Sequence, residues 1–451
     1  MALQCIERNV FCIYLPLRYI GIMFFHVRSY IVAVVLSIAT ALQLSGQEAP
    51  LRLSLEEAQQ LAIERNLTLQ NASIDVKIAK ANRWQALASL MPQVNASGSY
   101  NDMFGYRMDF GGMSIALPSS ASMGVTASVA LSGAQVLNTT ISKISKQMSD
   151  ITALQTEQTV ASQVKTLYYS VLVAEQTLAL LHSNLDEVQR LYEFSQQSVN
   201  VGASEQVSAD QLMVQVASAK TAIKNSENSL EMLYNSLRLQ LDLDPDAEIV
   251  LTDTLEKLLD IDAGLAIMNQ QFNLDNNYNY QLLKKNVELA RQQVSLNRWS
   301  LAPTVSLAYQ FSAKHNFGEG MDMTPPNTMN VMVSVPIFSS LSNTKKIQSA
   351  KMSYQKQLNT LAETENSLQI QYRQLCYNLQ NAHAKYVDQK QAVEVNKRVF
   401  DNIARKYEQG YSSALEMTNA STTLITSQSS YVQAILEFVN AQVELEKLLN
   451  N

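Results

Sequence analysis

A catalytic or metal centre is built from histidine, cysteine, serine and paired carboxylates, and in this sequence those side chains do not gather. His182, His315 and His383 have no second histidine or cysteine three or four residues away, the spacing that puts two ligands on one helix face. Cys376 stands alone in the body of the chain, with Cys5 and Cys12 near its start. Serine is abundant, yet no Gly-x-Ser-x-Gly turn strains one into a nucleophile, and no glycine-rich loop could cradle a phosphate. The inventory points away from an enzyme, and neither a metal nor a cofactor is expected. Solvated or packed histidines are the plain reading, and Tyr168, Tyr372 and Tyr386 fall on helix seams where packing explains them.

The elements that would position any site are laid out twice. Ile74 to Lys80 leading to Pro92 is matched by Lys285 to Arg291 leading to Pro303, an offset of 211 residues (74 to 285). Val125 to Leu131 is matched by Val331 to Ile337. Val201-Gly202-Ala203-Ser204 is matched by Gln409-Gly410-Tyr411-Ser412. A single duplication of this size means two copies of one large supersecondary unit rather than a solenoid. The first repeat is predicted over 47–241, with a hairpin over 93–131, and the second over 276–451, with a hairpin over 304–338. A linking segment, 242–275, is expected to pack around the middle of the helices.

Each repeat opens on a helix. Ser54 and Glu57 have capping-box spacing, a break is expected near Asn66, and Pro92 and Pro303 stop the helices that precede them. After each proline the apolar period switches to two: Val305, Leu307, Tyr309 and Phe311 on one face, then Val331, Val333, Val335 and Ile337. The first copy has Val94, Ala96, Gly98 and Tyr100, then Val125, Ala127, Val129 and Leu131. The connections, 107–122 and 313–328, are rich in Gly, Met, Ser and Pro and are long for hairpins. Four strands with one apolar face cannot close, and an open edge cannot face lipid. Three chains would supply twelve strands, enough for a barrel.

The long helices carry a seam of period 3.5. From Tyr354 it runs through Leu358, Leu361, Glu365, Leu368, Tyr372, Leu375, Leu379, Ala382, Tyr386, Gln389, Val393, Asn396, Phe400, Ile403 and Tyr407. Helices are predicted over about 138–199 and 343–406, with returning helices over about 206–241 and 414–449. The second long helix alone would span roughly 95 Å at 1.5 Å per residue. Gly202 and Gly410 are the only glycines in 134–263 and 321–451, and they mark the reversals, since glycine takes a left-handed cap without a Cβ penalty.

With 47% hydrophobic and only 16% charged residues in 451, the composition is not that of an ordinary soluble enzyme. The one continuous apolar run, Tyr30 to Leu42 after Arg28, is short for a span and is followed by Ser45-Gly46-Gln47, the pattern of a signal peptide over 1–46. Met23 would give that leader an ordinary length. Removing 1–46 takes away three Arg and one Glu, which moves the formal charge from -6 to -8 and argues against nucleic acid as a partner.

Taken in order, the Leu53 to Ala58 opening, the helix-Pro-strand junctions at Pro92 and Pro303, the hairpins and the glycine reversals are similar to the TolC family of outer-membrane efflux proteins. The resemblance covers essentially the whole chain after the leader. It implies a membrane α+β protein: a homotrimer with a twelve-stranded β-barrel, four strands per chain, continuous with a long α-helical coiled-coil barrel in the periplasm. Its expected partners are outer-membrane lipid, a periplasmic adaptor (membrane fusion) protein docked at the helical tips, and an inner-membrane transporter of RND or ABC type. Gly202, Ala203, Ser204, Gly410, Tyr411 and Ser412 are then the candidate docking tips, with turn formers alone as the less favoured reading. Counted from the shared glycine, the family's gate residues fall on Tyr407, Ser412, Glu416 and Asn419. Tyr407 and Glu416 fit, whereas Ser412 replaces a basic residue and Asn419 an aspartate. Three copies of Glu416 about an axis would attract cations; the plain alternative is a solvated helix residue. The implied function is a passive export channel. An exported coiled-coil tether or adhesin is the competing class, and it leaves the amphipathic hairpins without a purpose.

Overall fold

The computed structural model describes residues 50–318 and 325–450. The expected leader, 1–46, and the centre of the second long connection lie outside the described residues. The chain divides into two compact units. The described part of the smaller, Pro50–Arg52 with 246–250, is joined by the Leu51 amide donating to the Glu248 carbonyl at 2.8 Å. The larger unit holds the rest of the described chain.

In chain order the elements are β1 (Leu51–Leu53), α1 (Leu55–Arg65), α2 (Leu67–Ala88), β2 (Gln93–Asn101), β3 (Arg107–Phe110), β4 (Met113–Ala116), β5 (Ser120–Leu131), α3 (Gly133–Asn200) and α4 (Gln206–Leu241). There follow β6 (Ile249–Leu251), α5 (Leu255–Leu258), α6 (Ile261–Ala266), two 3₁₀ turns, α7 (Tyr278–Trp299), β7 (Thr304–Asn316), β8 (Asn327–Ser334), α8 (Ser342–Glu408) and α9 (Ala414–Leu449). The capping box that opens α1 forms as its spacing implies: Ser54 Oγ accepts the Glu57 amide, and the Glu57 carboxylate accepts the Ser54 amide at 2.8 Å. The Ser54 amide, then its hydroxyl, holds the Glu57 carboxyl below the usual range. Asn66 breaks the first helix. Its side chain accepts the Thr68 amide to start α2 and donates to the Gln240 carbonyl at 2.9 Å.

The sheet order is β2-β5-β7-β8, antiparallel throughout, so the two hairpins join through β5 and β7, and β2 and β8 are the edges. Its register sorts the side chains cleanly, because residues opposite one another share a face. One set of rows reads Val94, Ala127, Tyr309, Met329; then Val129, Leu307, Val331; then Leu131, Val305, Val333. The alternate rows read Gln93, Ser128, Ala308, Asn330 and Asn95, Thr126, Gln310, Thr328. One face is therefore apolar and the other polar.

The strands run further into both connections than expected, β5 from Ser120 and β7 to Asn316, and three other differences have a local cause. β8 ends at Ser334 rather than continuing to Ile337, because Pro336 has no amide to give the ladder. α3 starts at Gly133 rather than near Asn138, set by a second capping box between Ser132 and Gln135. The first connection is not structureless: β3 and β4 pair across Gly111-Gly112, both at positive φ (51° and 103°), which suits a two-residue hairpin turn.

The helical seams pack as their period requires. None of the seam positions from Tyr354 to Tyr407 is exposed, and Leu379, Ala382 and Tyr386 are buried against α9 residues that include Phe438 and Ile435. The linking segment packs midway along α3: Leu255, Leu258 and Leu259 join Tyr169 and Val173 in one cluster. Beside it, Asp253 accepts the Leu55 amide at 2.9 Å and meets the Tyr168 hydroxyl at 3.0 Å. Burial, then the carboxylate, pushes that phenol well up.

Candidate functional site

The two reversals share one backbone design. Gly202 turns left-handed at φ 76°, its amide donates to the Val199 carbonyl at 2.9 Å, and the Ala203 amide donates to the Ser198 carbonyl at 2.8 Å. Gly410 at φ 78° repeats this, donating to Tyr407 at 3.0 Å while Tyr411 donates to Lys406 at 2.8 Å. This pair of bonds is the Schellman ending, which satisfies two of the last carbonyls of each long helix. A Cβ at either glycine would meet open space, so the backbone angle alone asks for glycine. Val201 and Tyr411 protrude at the turns, 78% and 82% exposed.

Behind the turns the four long helices share one core. Leu191 of α3, Leu212 of α4, Phe400, Ala404 and Tyr407 of α8, and Ala414, Met417, Ala420 and Leu424 of α9 form a single buried cluster. Tyr407 is 8% exposed, with the Phe194 ring edge-on at 6.1 Å. At its rim the Arg190 guanidinium bonds Glu187 on its own helix at 2.6 Å and Glu408 on α8. Glu187 and then Glu408 hold that guanidinium firmly protonated.

The return helices start differently. Glu205 precedes α4 without a side-chain cap, whereas Ser413 opens α9 with a third capping box. The Ser413 hydroxyl accepts the Glu416 amide at 3.2 Å, and the Glu416 carboxylate accepts the Ser413 amide at 3.0 Å and the Ser412 hydroxyl. These donors, Ser412 first, hold the exposed Glu416 carboxyl below its usual range.

The sequence profile described as Outer membrane efflux protein matches residues 58–241 and 273–451. The chain belongs to the outer membrane efflux protein family. Family membership makes it an efflux channel protein of a transport family, not of an enzyme family. No curated relative matches it in sequence. Solved structures with a similar fold include the VceC outer membrane protein from Vibrio cholerae (14% identity, TM-score 0.71, covering 88% of this chain and 96% of that one). The CmeC outer membrane channel of Campylobacter jejuni is similar at 16% identity and TM-score 0.72, covering 88% and 85%. CusC is similar at 16% identity and TM-score 0.74, covering 88% and 91%.

In this outer membrane efflux protein the candidate gate positions separate. Ser412 and Glu416 are joined by a hydrogen bond, and Asn419 is exposed one turn further along α9. Tyr407 is turned into the shared core instead. The Arg190–Glu408 link, between residues 218 positions apart, has no sequence signal. The capping role of Glu416 does have one, the Ser413-x-x-Glu416 spacing.

Proposed function

We propose that three copies of this chain form a passive export duct, with the four-stranded sheets closing into a twelve-stranded barrel in the outer membrane and the long helices forming a tunnel in the periplasm. The observation that carries this reading is a sheet with two open edges and one apolar face. Such a face calls for lipid, and such edges are not tolerated in lipid unless β2 of one copy meets β8 of the next. Residues 47–241 and 276–451 are then two copies of one unit, and 242–275 is an equatorial insert. The exposed turns at Gly202, Ala203 and Ser204 and at Gly410, Tyr411 and Ser412 dock a periplasmic adaptor, and an inner-membrane transporter of RND or ABC type supplies the energy. Electron microscopy of protein extracted in mild detergent from the outer-membrane fraction tests this. A three-fold particle well over 100 Å long is expected, the sum of a tunnel of helices as long as α3 and a membrane barrel. Monomers, or rods without a barrel, would sink it in favour of a coiled-coil tether.

Glu416 forms the acidic ring of the tunnel's periplasmic gate in this reading, beside Ser412 and Asn419, with Tyr407 bracing the turn from within. Capping and charge are separable there, because glutamine serves at the third position of a capping box as glutamate does. Glu416→Gln is expected to weaken divalent-cation block of single channels while exchange of the Ser413 amide, which this side chain accepts, stays slow. Glu416→Ala loses both. The depressed carboxyl also gives a sign: its contribution is complete above the ordinary glutamate value and is lost as pH falls through the lowered one. Acid therefore loosens this helix start in the native chain and not in the Gln variant. Unchanged cation block in Glu416→Gln removes the residue from the gate.

A further inference from the structure

The polar face of the four-stranded sheet carries one side chain ionised at neutral pH. The register sets Lys314 of β7 opposite Ser122 of β5, and Ser122 opposite Ser99 of β2. The Ser99 and Ser122 hydroxyls bond each other at 2.8 Å, which puts this row on the face away from Val129, Leu307 and Val331. Lys314 is exposed and makes no ion pair among the described residues. It stands two residues before the end of β7, at the end of the sheet away from the long helices. Further in, the rows are Ser, Asn, Gln, Thr, Ala, Gly and, on β8, Met332, which neutralise nothing. The described charges beyond the rim, Asp102, Arg107 and Asp109, lie in the first connection, where Asp102 accepts the Phe104 amide and Arg107 bonds Ser114.

We propose that Lys314, repeated three times around the lumen, makes the outer part of the channel an anion-favouring filter for carboxylate- or phosphate-bearing solutes, an inference that rests on the trimeric duct reading. Twelve strands spaced about 4.8 Å apart and tilted about 40° enclose a backbone radius of about 12 Å. Long lysine side chains reaching inward from that wall stand on the order of 10 Å apart, about one Debye length at 0.1 M salt. Their fields overlap across the lumen, and along the strands an uncharged wall of mostly hydroxyls and amides leaves the sign of the potential to them.

The test is the chloride-to-potassium permeability ratio of purified trimers in planar bilayers under a salt gradient. Lys314→Gln is expected to lower the ratio by about threefold, Lys314→Glu to invert it and Lys314→Arg to preserve it. The side chain is exposed, so the variants assemble, and trimer yield checks this. Conducting channels with the same ratio in all variants overturn the filter and leave the duct standing. Wild-type protein that shows no three-fold barrel by electron microscopy overturns the duct itself, and the filter with it.

Discussion

Leu307→Arg is expected to remove the protein from the outer membrane, whereas Ala308→Arg, one residue along the same strand, leaves it there. Leu307 lies on the apolar face between Val129 of β5 and Val331 of β8, with Val305 and Tyr309 as neighbours along β7. An arginine in the middle of a lipid-facing band costs roughly 2 to 4 kcal/mol. In the proposed trimer, three copies bring this to on the order of 10 kcal/mol, the scale of a whole folding free energy. Ala308 sits in the row with Gln93, Ser128 and Asn330, where a guanidinium would reach water. The readout is heat-modifiable trimer in the outer-membrane fraction. Equal amounts of the two variants would mean that the apolar face does not meet lipid.

Phe438→Ala is expected to lower thermal stability more than any other single truncation of a described helix. The ring is fully buried where α9 meets α8, among Leu379, Ala382 and Leu445, with the Tyr386 ring at 6.4 Å and the His383 ring at 6.2 Å. On its other side the backbone of α6 presses close: a Cβ on Gly264 would lie 3.0 Å from Phe438 Cζ. Truncating a phenylalanine in such a site costs about 3 to 5 kcal/mol, because packed long helices cannot collapse into the cavity. Met232→Ala, on an exposed face of α4, is the control and should stay within about 0.5 kcal/mol. Detergent-solubilised protein followed by circular dichroism separates them. Coincident melting curves would show that the linking segment and α9 do not depend on this core.

Where the chain punctuates itself, the sequence is read to the residue. The return helices run from Gln206 to Leu241 and from Ala414 to Leu449, as glycine and the following polar residues imply. Alternation alone misleads at β8, since Val335 and Ile337 keep the period past a proline that cannot pair. The small hairpin at Gly111-Gly112 and the box at Ser132 and Gln135 carried legible signals of known type that composition and the heptad seam mask. At the tips the glycines announce the turns, but the inward rotation of Tyr407 depends on Phe194, more than two hundred residues earlier. No local pattern encodes such a contact. Lys314 becomes visible as a solitary charge only once the register assigns it to the polar face.

The two open edges also bear on inheritance. In the three-copy barrel proposed above, a chain that completes its hydrogen bonding only through neighbours on both sides exposes each copy to the defects of the others. In a cell making sound and faulty versions together, wholly sound rings decline as the cube of the sound fraction, so an allele damaged at β2 or β8 would behave as dominant.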